Sequence, residues 1–500
     1  MARGSRNERH EGHDRNEREE CTRSLFHTAA QCPKSRSKGK TTDQSLDFCT
    51  VWARSEKNLP IAARTSRLRT RRGDDEYCRI LRSRNAASGA RRAAREIDEM
   101  GTFFLSGPQA PDLLPSLVVS KGGAPLPIGV RLAEALRELG PAEALLLAAS
   151  RVVRPLSAAT PENLIEERAR LTKALERGTR AAPAWRYTSD PRESTRLRPL
   201  LENLGNALDR RDEALPRLYG ERARELALEC AMCDAVGTDT YSALAFARFA
   251  DKDDPGLDHA LQCVSSIPGP SMPTNEAREL FRTDALSPRS LATRLRMELG
   301  RRKVPFSVRV VRGLSALAAT GDRHVLVAEG RLVSEEDVER TVLHEIDGHV
   351  MPRVRSLAEP LALFRFGTAR GTCDQEGYAL LHEERGGFLG HERLRELSAR
   401  RIAVELACEG ANYEEAARAL ISRHGFTFEE AARVAERAFR GGNGTASGLV
   451  RDRPYLGAWL RLRDAFGARD GHVLEDFVSR GQVSLAAAKV LVPTLRAFEE

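Results

Sequence analysis

From about Leu113 onward, apolar residues recur every three and four positions, as in GVRLAEALRELG and AEALLLAASRVV, which is the signature of amphipathic helices. Thr160-Pro161-Glu162 supplies an N-cap with proline at the first helical position, and NLIEERARLTKALERG continues the pattern. A helix-rich block spans 196–249, and a Pro- and Gly-rich stretch, SSIPGPSMPTNE at 265–276, follows it. The period then changes. FSVRVVR (306–312) alternates, and RHVLVAE (323–329) is apolar between turn residues, with Thr320-Gly321-Asp322 near the bend, so two short strands are expected. Ser334 and Asp337 form an N-cap pair ahead of Val338, Val342 and Ile346, which places a helix directly after this small sheet. Further helices are predicted in GYALLHEER, with Glu376 at its opening turn, in NYEEAARALISRHG, and in TFEEAARVAERAFR, the last with a Thr427–Glu430 capping box; the latter two end at glycine. The pattern predicts an α+β chain, mostly helical, with a helical part at 110–265 and a second part at 277–500.

Charge separates off the N-terminus. The chain has 79 basic and 71 acidic residues, and 23 and 15 of these lie in residues 1–100, so the rest is balanced at 56 each. Residues 1–99 show neither helical nor strand periodicity and read as a disordered basic leader. One reading begins translation at Met100, the second methionine, with the leader an upstream extension. The rival reading is a basic tail that binds nucleic acid, against which stand its interspersed acids and few aromatics. No apolar run reaches the 18 residues of a membrane span, and no signal-peptide core is present, which points to a cytoplasmic protein. Nine cysteines give no disulfide framework, and Cys230 and Cys233, at helical spacing among apolar neighbours, read as helix core.

Candidate chemistry is concentrated in LHEIDGHV (343–350) and CDQEGYALLHE (373–383). Zinc takes imidazole nitrogen and carboxylate oxygen, and a catalytic zinc keeps three protein ligands and an open fourth position. His344, His349 and Glu376 are the three candidates for one Zn2+ per chain. Glu345 is then the general base beside the metal-activated water. The imidazoles stand at i and i+5, about 140° apart on a regular α-helix against about 40° for i and i+4. A π-bulge restores a common face, and Gly348 is where the distortion costs least. Glu359, Glu383 and Glu384 are rival third ligands. Glu383, two turns beyond Glu376, is better placed as a partner of a ligating histidine. His382 and His391 read as solvated.

HEIDGHV, DQEGYA and AFRGGNGTASGLVRDRPYLGAW together resemble the QEGLA-motif family, whose bacterial members are called flavohemoglobin expression-modulating proteins and whose eukaryotic members include the microtubule-associated tyrosine carboxypeptidases. Weaker likeness in LYGERARELALECAMCDAVGTD extends the match to most of 110–500. The resemblance implies a gluzincin-like zincin fold, the same zinc ligands and catalytic Glu345, and a peptidase acting at the C-terminal residue of a peptide or protein. The sequence departs from the family at Tyr378, where QEGLA has leucine, at Arg451, where lysine is usual, and at Asn443 within the glycine run; these bear on substrate preference. Tyr455 is the first candidate for an oxyanion donor, with a buried structural tyrosine as the alternative. Arg440 and Arg451 are candidates to bind a terminal carboxylate through their guanidinium forks, or are ordinary surface arginines. Two other functions compete: a non-catalytic metal-binding regulator, and nucleic-acid binding through the leader.

Overall fold

A computed structural model describes residues 130–500, except 189–191, 252–253, 267–278 and 500. The leader at 1–99, and most of the Pro- and Gly-rich stretch 265–276, lie outside the described residues. The described chain is mostly helical with two small sheets. No helix among the described residues is long and apolar enough to cross a membrane.

Three hydrophobic clusters organise the fold. Two are built by helices from both ends of the chain: one joins Leu171, Tyr241 and Phe249 to Leu380, Ala432 and Trp459, and the other joins Leu146, Leu201 and Tyr219 to Phe364, Tyr378 and Leu491. The third is smaller and belongs to the sheet, where Leu295, Val325 and Val327 pack on Val338, Ile346 and Val350. Cys230 is fully buried in the helix Ala214–Asp234, with Cys233 one turn on, and both are free thiols. They serve as helix core.

Local start and stop signals explain most helix bounds. Ser334 Oγ accepts from the Asp337 amide at 3.1 Å while Asp337 accepts from the Ser334 amide at 3.2 Å, closing the capping box of the helix Glu335–Leu343. Thr427 and Glu430 do the same for Phe428–Phe439, and Asn412 with Glu415 for Tyr413–His424. Gly425 ends the latter in the left-handed conformation (φ 64°). Phe428–Phe439, by contrast, ends at an extended Arg440, and left-handed Gly441 follows. The cap expected at Thr160 is not used. Thr160 Oγ1 closes the preceding turn onto the Leu156 carbonyl (2.7 Å), and the helix begins at Leu164. Asn163, at its N-cap, spends its side chain on Ala184 and Arg186 instead.

The two expected strands are present as β2 (Ser307–Val311) and β4 (His324–Ala328), after a two-residue β1 (Phe281–Arg282). Their arrangement differs from a simple hairpin. β2 and β4 run parallel, and the turn at Gly321, where the glycine amide bonds to the His324 carbonyl at 2.8 Å, links β4 to a short β3 (Ala318–Thr320). The order is β2-β4-β3, which leaves β3 at an edge; β5 (Leu332–Val333) pairs with β1. Ala-Ala-Thr lacks the β-branched alternation that marks a strand, so β3 gave no sequence signal. The capped helix after β5 leads straight into His344.

Candidate metal centre

Residues His344–Val350 form a π-helical stretch. Its i→i+5 hydrogen bonding brings residues five apart onto one face, which is what the HEIDGH spacing requires. The two imidazoles lie with ring centroids 5.0 Å apart and Nε2 atoms 3.3 Å apart. Gly348, which lies within the π stretch, also has a steric role. A Cβ built there would lie 2.4 Å from Ala379 Cβ, so glycine permits close approach of the π turn to the helix Gly371–Arg385.

That helix carries Glu376, in its second turn rather than at its start. Gly377 lets the same helix press against the backbone of its other neighbour, the helix Arg453–Gly467, where a Cβ would meet the Ala458 carbonyl carbon at 2.6 Å. Wedged between the two, Glu376 reaches the histidines: Oε2 lies 3.7 Å from His344 Nε2 and Oε1 4.0 Å from His349 Nε2. Bonds of about 2.0–2.2 Å at tetrahedral angles separate ligand atoms by about 3.3–3.6 Å. The two histidine nitrogens, 3.3 Å apart, already stand at this spacing, while the two Glu376 oxygens each approach a different histidine, at 3.7 and 4.0 Å. His344, His349 and Glu376 are the one group of three or more potential ligands found among the described residues, all within 4.8 Å of one another, and zinc fits their number and chemistry.

The surroundings prepare this set. His344 Nδ1 lies 2.7 Å from Glu383 Oε1, a carboxylate that can only accept, so Nδ1 carries the proton and Nε2 faces the centre. Glu383 is itself held by Arg393, with Nε at 2.9 Å and Nη2 at 3.0 Å. Burial pushes His344 down, yet the carboxylates of Glu376 and Glu383 beside it outweigh this and raise it to about 10. Burial lowers His349. Burial would raise Glu376, but Arg451 and the imidazoles hold it far below the usual carboxylate range. Two ring nitrogens thus converge with a carboxylate held in its charged form. Glu345, 5% exposed, is not in that triad; its Oε2 accepts from Thr320 Oγ1 at 2.7 Å.

Arg451 Nη2 donates to Glu376 Oε1 at 2.6 Å, so part of this guanidinium is engaged with the carboxylate, and the arginine is no ordinary surface residue. Its Cζ stands 5.9 Å from the ring centroid of buried Tyr455. Burial raises the Tyr455 phenol well above its ordinary value, which keeps it a neutral donor. Arg440 is also buried, at 3% exposure. Its Nη1 donates to Ser315 Oγ at 2.5 Å, its Nε has no partner among the described residues, and burial with Arg437 nearby pushes it down to about 10.

Other residues fall elsewhere. Glu384 accepts from Trp459 Nε1 (2.8 Å), and Glu359 faces Arg480 (3.7 Å). His391 is exposed, but His382 is half-buried against Tyr378, ring centroids 4.6 Å apart, and its Nε2 lacks a partner among the described residues; it is packed rather than solvated. Tyr378 lies in the core, two positions from Glu376, with its ring 6.3 Å from that of Phe466. Asn443 is exposed and binds Asp239 and Thr445. Sequence reasoning missed Thr320 and Arg393: a lone threonine in an unmarked strand and an arginine on the next helix carry no motif.

A family model, described as microtubule-associated tyrosine carboxypeptidase, matches residues 173–492, a span that holds every residue of this centre. No curated protein matches the chain.

Proposed function

That this chain belongs to the microtubule-associated tyrosine carboxypeptidase family is the premise from which we propose that it is a zinc-dependent carboxypeptidase hydrolysing the C-terminal bond of a peptide or protein. The observation that carries this reading is the convergence of His344 Nε2, His349 Nε2 and Glu376, with Glu345 adjacent in sequence yet outside the triad. HEIDGHV, DQEGYA and the Gly-rich segment before Tyr455 favour membership of the wider QEGLA-motif family, with a gluzincin-like zincin arrangement.

When bound by His344, His349 and Glu376, zinc supplies Lewis acidity to a carbonyl and to water in its open position. Glu345 accepts the proton of the attacking water and returns it to the leaving amine. The Tyr455 phenol donates to the oxygen that becomes negative. Arg440 and the free part of Arg451 bind the substrate's terminal carboxylate, and the unpartnered Nε of buried Arg440 supports that role. β3, as an open edge, offers backbone groups to an extended chain.

Glu345→Gln tests the reading. The variant should keep one zinc per chain by metal analysis, while release of single C-terminal residues from a peptide library falls by about 10²–10⁴-fold, as expected for loss of a general base. A variant that hydrolyses like the parent removes Glu345 from the chemistry. Internal cuts in place of terminal ones would make the protein an endopeptidase.

A further inference from the structure

Resting on that peptidase reading, we infer that Thr320 is a positioning residue, which from the edge strand holds the Glu345 carboxylate in the orientation needed for proton transfer. In β3, Ala318 pairs with Val327 and Thr320 with Val325. Ala318, Val325 and Val327 belong to the cluster that contains Ile346 and Val350, so this face of the sheet lies on the π turn. Strand alternation puts Thr320 on the same face as Ala318, and its hydroxyl arrives at Glu345 Oε2, 2.7 Å away. A carboxylate can only accept, so Thr320 donates its single proton to Oε2. Among the described residues no hydrogen bond reaches Oε1, which leaves that oxygen for water.

The geometry matters because glutamate has three side-chain torsions and a buried carboxylate can otherwise turn towards either histidine. One charge-assisted bond to a β-branched residue fixed in a sheet anchors Oε2 and limits how far the carboxylate can turn. The same strand presents the open edge of the three-stranded sheet. A chain aligned along β3 is therefore in register with the base through a single residue.

The test compares Thr320→Val, which keeps shape and strand preference, with Thr320→Ser, which keeps the hydroxyl, in the full-length zinc-loaded protein. With synthetic peptides differing in their C-terminal residue, kcat should fall about 10–100-fold in Thr320→Val, the usual cost of losing an outer hydrogen-bond partner, with KM and zinc content unchanged. Thr320→Ser should restore most of the loss, which a purely structural role would not predict. Parental kcat in Thr320→Val, equal losses in both variants, or a rise in KM alone would overturn the inference. Crystal structures of parent and Thr320→Val give a second readout independent of turnover: the Glu345 carboxylate should leave its place in the variant, and an unmoved carboxylate overturns the inference too. If the parent cleaves no peptide while the carboxylate moves as expected, the positioning stands and the peptidase reading fails.

Discussion

Glu383 is nearly inaccessible, at 1% side-chain exposure, and holds His344 Nδ1 on one side and Arg393 on the other. A neutral amide there still accepts a hydrogen bond, but it withdraws the charge that makes the imidazole a strong ligand and leaves Arg393 without part of its counterion. Glu383→Gln should therefore weaken zinc binding by about 10–100-fold in a chelator competition titration. Unchanged affinity would reduce Glu383 to a packing role. At this scale the sequence was most readable where chemistry and spacing coincide: two histidines, a glutamate between them, Glu376, and Glu383 seven positions later. It was least readable for Thr320, because nothing in Ala-Ala-Thr announces a strand, and for Tyr378, whose orientation is set by the core around Phe466.

The π turn and the Glu376 helix depend on each other's backbone shape. Their contact at Gly348 and Ala379 leaves no room for a methyl group, since the two Cβ atoms would lie 2.4 Å apart. Gly348→Ala should cost about 1–3 kcal/mol, the range for overpacking a tight interior, read as a lower thermal midpoint together with reduced zinc content. Adding Ala379→Gly should recover only part of the stability, because the new methyl group would still meet the backbone Cα of residue 379 at 2.8 Å and a glycine inside the helix carries its own cost of about 1 kcal/mol. A Gly348→Ala protein as stable as the parent would mean that the helices separate without consequence. The need for a π turn was legible in the i, i+5 spacing. The close approach was not, since it depends on Ala379, thirty-one positions away. Nor could alternation reveal that β2 and β4 run parallel, which is decided by the return path through β3.

Across the molecule, the two histidines sit on an element packed into the sheet's own hydrophobic cluster, whereas Glu376 comes from a helix shared by the two larger clusters. An ion bound by all three joins these units. By mass action, zinc at a hundred times its Kd should stabilise the folded state by about 2.7 kcal/mol, or roughly 3–5 °C in thermal midpoint. Glu345→Gln should retain that shift and His349→Ala should lose it in calorimetry with and without added zinc. A midpoint indifferent to zinc in the parent would show that these residues hold no ion.

The helix Gly371–Arg385 lends Cys373, Leu380 and Leu381 to one interior and Tyr378 to another. A partition wall of this kind has no spare face. Any substitution in it must satisfy two packed neighbourhoods simultaneously, so the wall that bears Glu376 tolerates far less change than a helix with one face in solvent.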